Sequence, residues 1–266
     1  MDNETKSIFI SRIDVAASRI EEKKDLVARE TPVHLFLGSI HLVSILSSPA
    51  KLKELVVGHL LGEGLVNSVD DIAEIAFEEN RCYVTLRKTD TAEHTIVSRS
   101  FSRLIVSSCG TVGYRSLSEL LDQIELKSLA RWQMKADTIL HCIKKLNSLG
   151  EIFKQTGGVH VAALFHRDGE LVTLAEDVGR HNAVDKVIGE AALRSEDMNV
   201  CFLALSGRMT GDIVLKAARV GVPIVASLAA AVDSGLEVAR KTGITLIGFA
   251  RGNRMNVYTF PRRIKL

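Results

Sequence analysis

Eleven consecutive residues, Glu176-Asp177-Val178-Gly179-Arg180-His181-Asn182-Ala183-Val184-Asp185-Lys186, set two acids, an arginine, a histidine, an asparagine and a further acid–base pair around one glycine. Arginine offers a fork of donors that matches phosphate oxygens. The start of a helix adds backbone N–H groups and a partial positive charge. The pattern predicts such a start here. An apolar strand over 171–174 leads in, and Ala183, Val184, Val187, Ile188 and Ala191 share one side of a helix over about 182–192. Gly179 is expected to take a backbone angle closed to other residues, and Asn182 to cap the helix. The plainer alternative is a well-capped helix with a solvated first turn.

Three other segments fall at comparable junctions. Thr156-Gly157-Gly158-Val159-His160 precedes a strand, and Ser206-Gly207-Arg208-Met209-Thr210-Gly211 lies between a strand and a helix. Phe249-Ala250-Arg251-Gly252-Asn253-Arg254 follows the last long strand. Open α/β sheets bind ligands outside the carboxyl ends of their strands. One glycine–arginine turn means little, but four such segments, with Arg180, Arg208, Arg251 and Arg254, point to an anionic, nucleotide-like ligand. For His160 and His181 the alternative is a histidine that only satisfies local hydrogen bonds. The phosphate loop G-x-x-x-x-G-K-[ST] is absent, and no G-x-G-x-x-G follows a strand. An ordinary ATPase or dehydrogenase is therefore disfavoured. The H-x-E and P-C-x-x-C patterns of zinc deaminases are missing too, and the eight histidines show no metal-ligand spacing, so no metal is expected.

Cys109 stands apart from the other three thiols. It lies in Ser107-Ser108-Cys109-Gly110-Thr111-Val112-Gly113, after the apolar run 104–106. A reactive cysteine must be reachable and partly thiolate; small neighbours give access, and Arg103 and Arg115 favour the anion. Cys82, Cys142 and Cys201 sit in hairpin, helix and buried-strand patterns and read as structural.

The elements that must hold these segments change character along the chain. Strands over 33–37 and 40–46 flank Gly38-Ser39, and strands over 72–77 and 82–87 flank Glu79-Asn80. Between the two hairpins Pro49 is expected to open a helix over about 50–61, ended by Gly62 and Gly64. Further strands are expected over 94–98 and 103–106, then a polar stretch over 117–135. Beyond a boundary near residue 130 comes an amphipathic helix over 137–154, broken at Thr156-Gly157-Gly158. A hairpin over 159–165 and 171–174 follows. Strands over 200–205, 223–227 and 244–249 then alternate with helices over 212–220 and 232–241, which predicts a largely parallel sheet covered by helices.

The chain has 266 residues, 46% hydrophobic, with 34 basic against 32 acidic side chains. That length suffices for two domains or one large one. The charge balance argues against a nucleic-acid partner. No basic, apolar leader and no apolar run long enough to span a bilayer is seen, so no membrane is expected. Four scattered cysteines without C-x-x-C read as thiols rather than disulfides. The expected compartment is the cytoplasm.

In order along the chain, Leu61-Gly62-Glu63-Gly64, Ser107-Ser108-Cys109-Gly110, Thr156 to His160, Glu176 to Lys186, Ser206-Gly207-Arg208 and Gly248-Phe249-Ala250-Arg251 resemble the formate dehydrogenase accessory sulfurtransferases, the FdhD/NarQ family. The resemblance covers most of the chain. It implies an α/β fold: a strand-rich N-terminal domain, residues 1–130, carrying the Cys109 loop, and a cytidine-deaminase-like domain without its zinc site, residues 131–266. It implies a sulfur carrier that takes sulfur from a cysteine desulfurase as a persulfide on Cys109. The sulfur then passes to the molybdenum cofactor, bis(molybdopterin guanine dinucleotide), before insertion into formate dehydrogenase. The guanine-nucleotide-containing cofactor would lie near Phe249, Ala250, Arg251, Gly252, Asn253 and Arg254, with Arg180, His181, Ser206, Gly207, Arg208, Gly157, Gly158 and His160. Asp177 is expected to orient Arg180 or His181, or to accept from a base or pterin N–H. A homodimer is implied by the family alone. Many members carry a second loop cysteine where this chain has Val112. The rival readings are a chaperone that binds the cofactor without moving sulfur, and a nucleotide-modifying enzyme descended from a deaminase.

Overall fold

The computed structural model describes residues 4–87, 104–107, 110–112 and 132–266. Cys109, Arg103, Arg115, the strand expected over 94–98 and most of the polar stretch lie outside the described residues. Of the Cys109 region, Leu104–Ser107 (β7) and Gly110–Val112 (β8) pair antiparallel, with Ser107 opposite Gly110.

The second half is built on a six-stranded sheet of His160–His166 (β10), Leu171–Asp177 (β11), Cys201–Leu205 (β12), Ile224–Ser227 (β13), Thr245–Arg251 (β14) and Arg254–Val257 (β15), in the order β11-β10-β12-β13-β14-β15. Every residue of β12 and β13 is buried, as in strands covered on both faces. Successive side chains alternate between the two faces. Val161, Ala163, Phe165, Phe202, Ala204, Ile224 and Ile247 pack with Ile139, Cys142, Ile143 and Leu146 of helix Ala136–Leu149 (α2). Ala162, Leu164, Leu203, Leu205, Val225 and Leu246 face the opposite core. That core includes residues of helices Leu52–Gly62 (α1), Arg180–Leu193 (α4), Gly211–Val220 (α5) and Asp233–Thr242 (α6).

The parallel arrangement expected of the strands over 200–249 is found, but the sheet as a whole is mixed. Only β12, β13 and β14 run parallel; β10, β11 and β15 are joined antiparallel. The hairpin links 167–170 and 252–253 are too short for the crossover that parallel neighbours require. Three element boundaries also move. The helix expected over 137–154 is two, α2 and Glu151–Thr156 (α3), divided at Gly150. Helix α1 begins at Leu52, after Lys51 in a left-handed conformation. Helix α4 begins at Arg180 with Gly179 at its N-cap, so Asn182 lies inside the helix. Gly179 is extended (φ −100°), a conformation open to any residue. What requires glycine there is space, since a Cβ would stand 2.8 Å from the Asn182 amide nitrogen.

The first half carries a four-stranded sheet, Thr31–Leu37 (β3), Ile40–Ser47 (β4), Ile72–Glu78 (β5) and Arg81–Leu86 (β6), in the order β4-β3-β6-β5. Its inward residues Val33, Leu35, Leu37, Val84 and Leu86 join the same core as α4 and β12, so one core runs across the boundary proposed near residue 130. Helices α1 and α4 touch backbone to backbone. A Cβ on Gly58 would lie 1.7 Å from the Asp185 carbonyl oxygen, and one on Gly189 would lie 1.9 Å from that of Glu54. Thr5–Asp14 (β1) and Arg19–Ala28 (β2) form a separate hairpin of two ten-residue strands, which the sequence pattern did not announce. Ile264–Lys265 (β16) closes the chain beside Met134–Lys135 (β9). No helix among the described residues is long and apolar enough to cross a membrane.

Candidate functional site

A cavity of about 890 Å³ opens where the four glycine-bearing segments converge. Gly157, Gly158, Val159 and His160 form one wall, Val178 and Ser206 the next, and Ala250, Arg251, Gly252 and Asn253 a third. The remaining wall is apolar apart from one lysine, with Leu140, Ile143 and Lys144 of α2, Phe153 of α3, and Leu228. Sequence reasoning missed this last wall. The helical spacing marks Ile143 as inward-facing, but spacing cannot say which side chains at a helix's edge meet a cavity.

The loop geometry follows from local chemistry. Gly157 ends α3 in the left-handed region (φ 65°), and its N–H donates to the Phe153 carbonyl; glycine adopts this conformation at little cost. Strand β14 runs on through Arg251 and turns at Gly252-Asn253, so Phe249 to Arg254 is a hairpin rather than an open loop. Phe249 sits at a register break with φ 50°, an uncommon conformation for a bulky residue. The Arg251 guanidinium lies 5.7 Å from the Phe249 ring centroid, and its Nε donates to the Leu228 carbonyl at 2.9 Å. The arginine is thereby held at the cavity's edge by cation–π attraction and a hydrogen bond.

His160 is the titratable group at the centre. Its Nδ1 is 3.4 Å from Ser206 Oγ, which accepts from the Val161 N–H at 2.9 Å. Burial lowers the pKa of His160 below the ordinary histidine value; Arg180, His181 and Arg208 push the same way, and Asp177 opposes them. Gly207 makes this packing possible. A Cβ there would meet Arg180 Cβ at 3.2 Å and His160 Nδ1 at 3.4 Å.

The Glu176–Lys186 run divides its labour. Asp177 is fully buried and engaged by the protein itself. It is 2.6 Å from Lys186 Nζ and accepts from the N–H groups of Ser48 and Gly179 and from the Asn182 amide. Asp177 therefore shapes the junction from inside and is not on the cavity wall. His181 Nε2 lies 2.6 Å from Asp212 Oδ2. Burial would raise the Asp212 pKa, but His181 and Thr210 outweigh it and hold the carboxyl well below the usual range. Arg180 is half-buried, packed against Gly207 beside His160, whereas Arg208, Phe249 and Arg254 are exposed.

Three cysteines are buried, and burial pushes their thiols up, Cys82 and Cys201 to about 12 and Cys142 to about 11. They stay protonated near neutrality and are poor nucleophiles, in keeping with a structural role.

The fold and cavity define an α/β protein with a basic, glycine-lined pocket at one edge of a mixed sheet. Residues 28–265 match the model of the FdhD/NarQ family, and the chain belongs to that family. It is 40% identical to the sulfur carrier protein FdhD of Sulfolobus acidocaldarius over 91% of this chain and 92% of the relative. It is 36% identical to that of Methanothermobacter thermautotrophicus over 95% and 96%. A crystal structure of a candidate formate dehydrogenase accessory protein from Desulfotalea psychrophila superposes with a TM-score of 0.77 at 30% identity, covering 97% of this chain and 99% of that one.

Proposed function

We propose that this chain is a sulfur carrier in the maturation of formate dehydrogenase, acting in the cytoplasm as a homodimer. Relatives of matching length bear the sulfur carrier name. The observation that carries the cofactor half of the reading is the cavity between His160, Ser206 and Arg251. The strand order β11-β10-β12-β13-β14, with its parallel centre, supports a cytidine-deaminase-like origin.

In this reading the Cys109 thiolate attacks the terminal sulfur of a cysteine desulfurase persulfide. The donor's S–S bond breaks, its cysteine leaves as thiolate, and a new S–S bond forms on Cys109. The exchange is redox-neutral and favoured by a lowered thiol pKa. The molybdenum cofactor is the substrate that receives this sulfur. Its guanine dinucleotide phosphates would meet Arg180, Arg208, Arg251 and Arg254, its flat heterocycle would lie against the apolar wall of Leu140, Ile143 and Phe153, and His160 and Asn253 would contact its polar edges. Binding of this kind positions the acceptor and converts transfer into an intramolecular event.

Val112 in place of a second loop cysteine favours a relay through one sulfur atom, and it also keeps the chaperone alternative in play. Mass spectrometry after incubation with a desulfurase and cysteine separates the two. One added sulfur on the peptide containing Cys109 supports the carrier; no added sulfur, with intact cofactor binding, supports the chaperone.

A further inference from the structure

His160 stands where the polar and apolar parts of the cavity meet, and several neighbouring elements contribute a charged or titratable group. Arg180 and His181 come from α4, Asp177 from β11, and Arg208 from the turn after β12. Lys144 of α2 and Arg251 of β14 stand on the cavity wall. The one carboxylate among these is already paired with Lys186 at 2.6 Å, and His181 with Asp212 at 2.6 Å. Among the described residues, positive charge outweighs negative at the ring.

Ser206 Oγ accepts from the Val161 N–H and lies 3.4 Å from His160 Nδ1. Its hydroxyl can donate to a bare Nδ1, and its remaining lone pair can accept from a protonated one. Ser206 can therefore follow the ring through a change of charge.

We propose that His160 couples proton uptake to ligand binding: neutral in the free protein, it gains a proton when a polyphosphate enters the cavity. The proposal rests on the phosphate-binding reading of the same cavity. A phosphate brings the counter-charge that the surrounding arginines withhold from the ring, so the protonated imidazole becomes favourable only in the complex. The sign follows from linkage. A group whose pKa is higher in the complex binds protons on association, so affinity rises as pH falls toward that pKa. A polyphosphate would then be held most firmly in mildly acid solution and released more readily as pH rises.

The test uses the full-length protein, its His160→Gln variant and GDP as probe. In proton NMR the ring resonance lost in His160→Gln should titrate below the ordinary histidine value of about 6.5 in free protein, and move up when GDP is saturating. Calorimetry in two buffers of different ionisation heat should show more protons taken up per GDP by wild type than by His160→Gln, the variant correcting for GDP's own ionisation. Between pH 8 and 6 wild-type affinity should rise by up to about tenfold more than the variant's, for a one-unit shift. A free-protein midpoint at or above the ordinary value overturns the proposal. So do equal proton counts with GDP bound to both proteins, an outcome that leaves the phosphate reading standing. GDP that binds neither protein at any pH overturns both.

Discussion

The Glu176–Lys186 run faces the interior on one side and the cavity on the other, and its charges are used in opposite ways on the two. Toward the interior, Lys186 reaches Asp177, while Asp185 receives Lys216 at 2.8 Å and His59 at 3.4 Å, with Glu63 on the far side of Lys216 at 2.8 Å. Lys216 and Asp185 are 4% and 2% exposed at the side chain, so each charge depends on its partner. Toward the cavity, Arg180 and His160 stand in a basic field held open by Gly207. The contrast teaches that charge density in a sequence does not distinguish a site from a brace. The distinction is whether the carboxylates and cations neutralise each other inside the fold or leave a net sign at a surface.

Breaking the interior cluster should have the largest effect. Lys216→Met leaves Asp185 and Glu63 without their cation and should cost about 3–5 kcal/mol in chemical denaturation, while folded protein retains its GDP affinity. The cavity side should behave inversely. Arg180→Ala should weaken GDP binding by about 1.5–3 kcal/mol, the scale of charge-assisted hydrogen bonds, with little change in melting temperature. Asp177→Asn, on the interior side, should lower the melting temperature and weaken GDP binding less than Arg180→Ala. Equal losses of affinity in these two variants would erase the comparison.

Gly157→Ala should sharpen it. An added Cβ meets nothing within 4 Å, so the cost is only that of a left-handed alanine, about 1–2 kcal/mol of stability. Acid should loosen the interior brace, and most gently. Burial would raise the Glu63 pKa, but Lys216, His59 and Arg219 outweigh it and hold it at about 2, against 4.5 in its ordinary state. A depressed carboxylate stabilises fully above its unfolded value and loses that contribution as pH falls toward the folded one. The Glu63 contribution should therefore fade between about pH 4.5 and 2, and in denaturation at stepped pH Glu63→Gln should lose the corresponding slope. An identical acid profile for wild type and Glu63→Gln would remove Glu63 from the brace.

Much of the second half was legible because its signals are local. The hairpin over 159–174 and the alternation of apolar strands with helices from Cys201 to Arg251 placed the elements to within a few residues. Each of the four segments reaches the cavity wall, two of them through a single residue, Val178 and Ser206, while Arg180, Arg208 and Arg254 are not among its lining. The antiparallel joining of β10 to β12 was not legible, because a buried strand has the same composition whether its neighbour is parallel or antiparallel. Helix α4 was only half legible: His181 through Gly189 are all buried, so the expected division into an apolar side and a solvated side does not exist. Nothing local says that Asp185 and Lys186 find partners on α5 and β11. The β1–β2 hairpin escaped because Glu21-Glu22-Lys23-Lys24 has no alternation to read. The apolar wall of the cavity escaped because it is a property of how α2 and α3 settle on the sheet.

The backbone contact at Gly58 and Gly189 bears on how this chain can be divided. A chain cut near residue 130 would yield two fragments that each present half of one helix–helix seam, with no side chain to cushion it. The core beneath α2 would stay whole in the second fragment, but the core on the other face of the sheet would be split between the two, and the seam is so closely fitted that the halves should find each other in one register. The molecule is better regarded as a clasp closed by two glycines than as two modules on a string, and co-expressed halves should reassemble where separate ones do not.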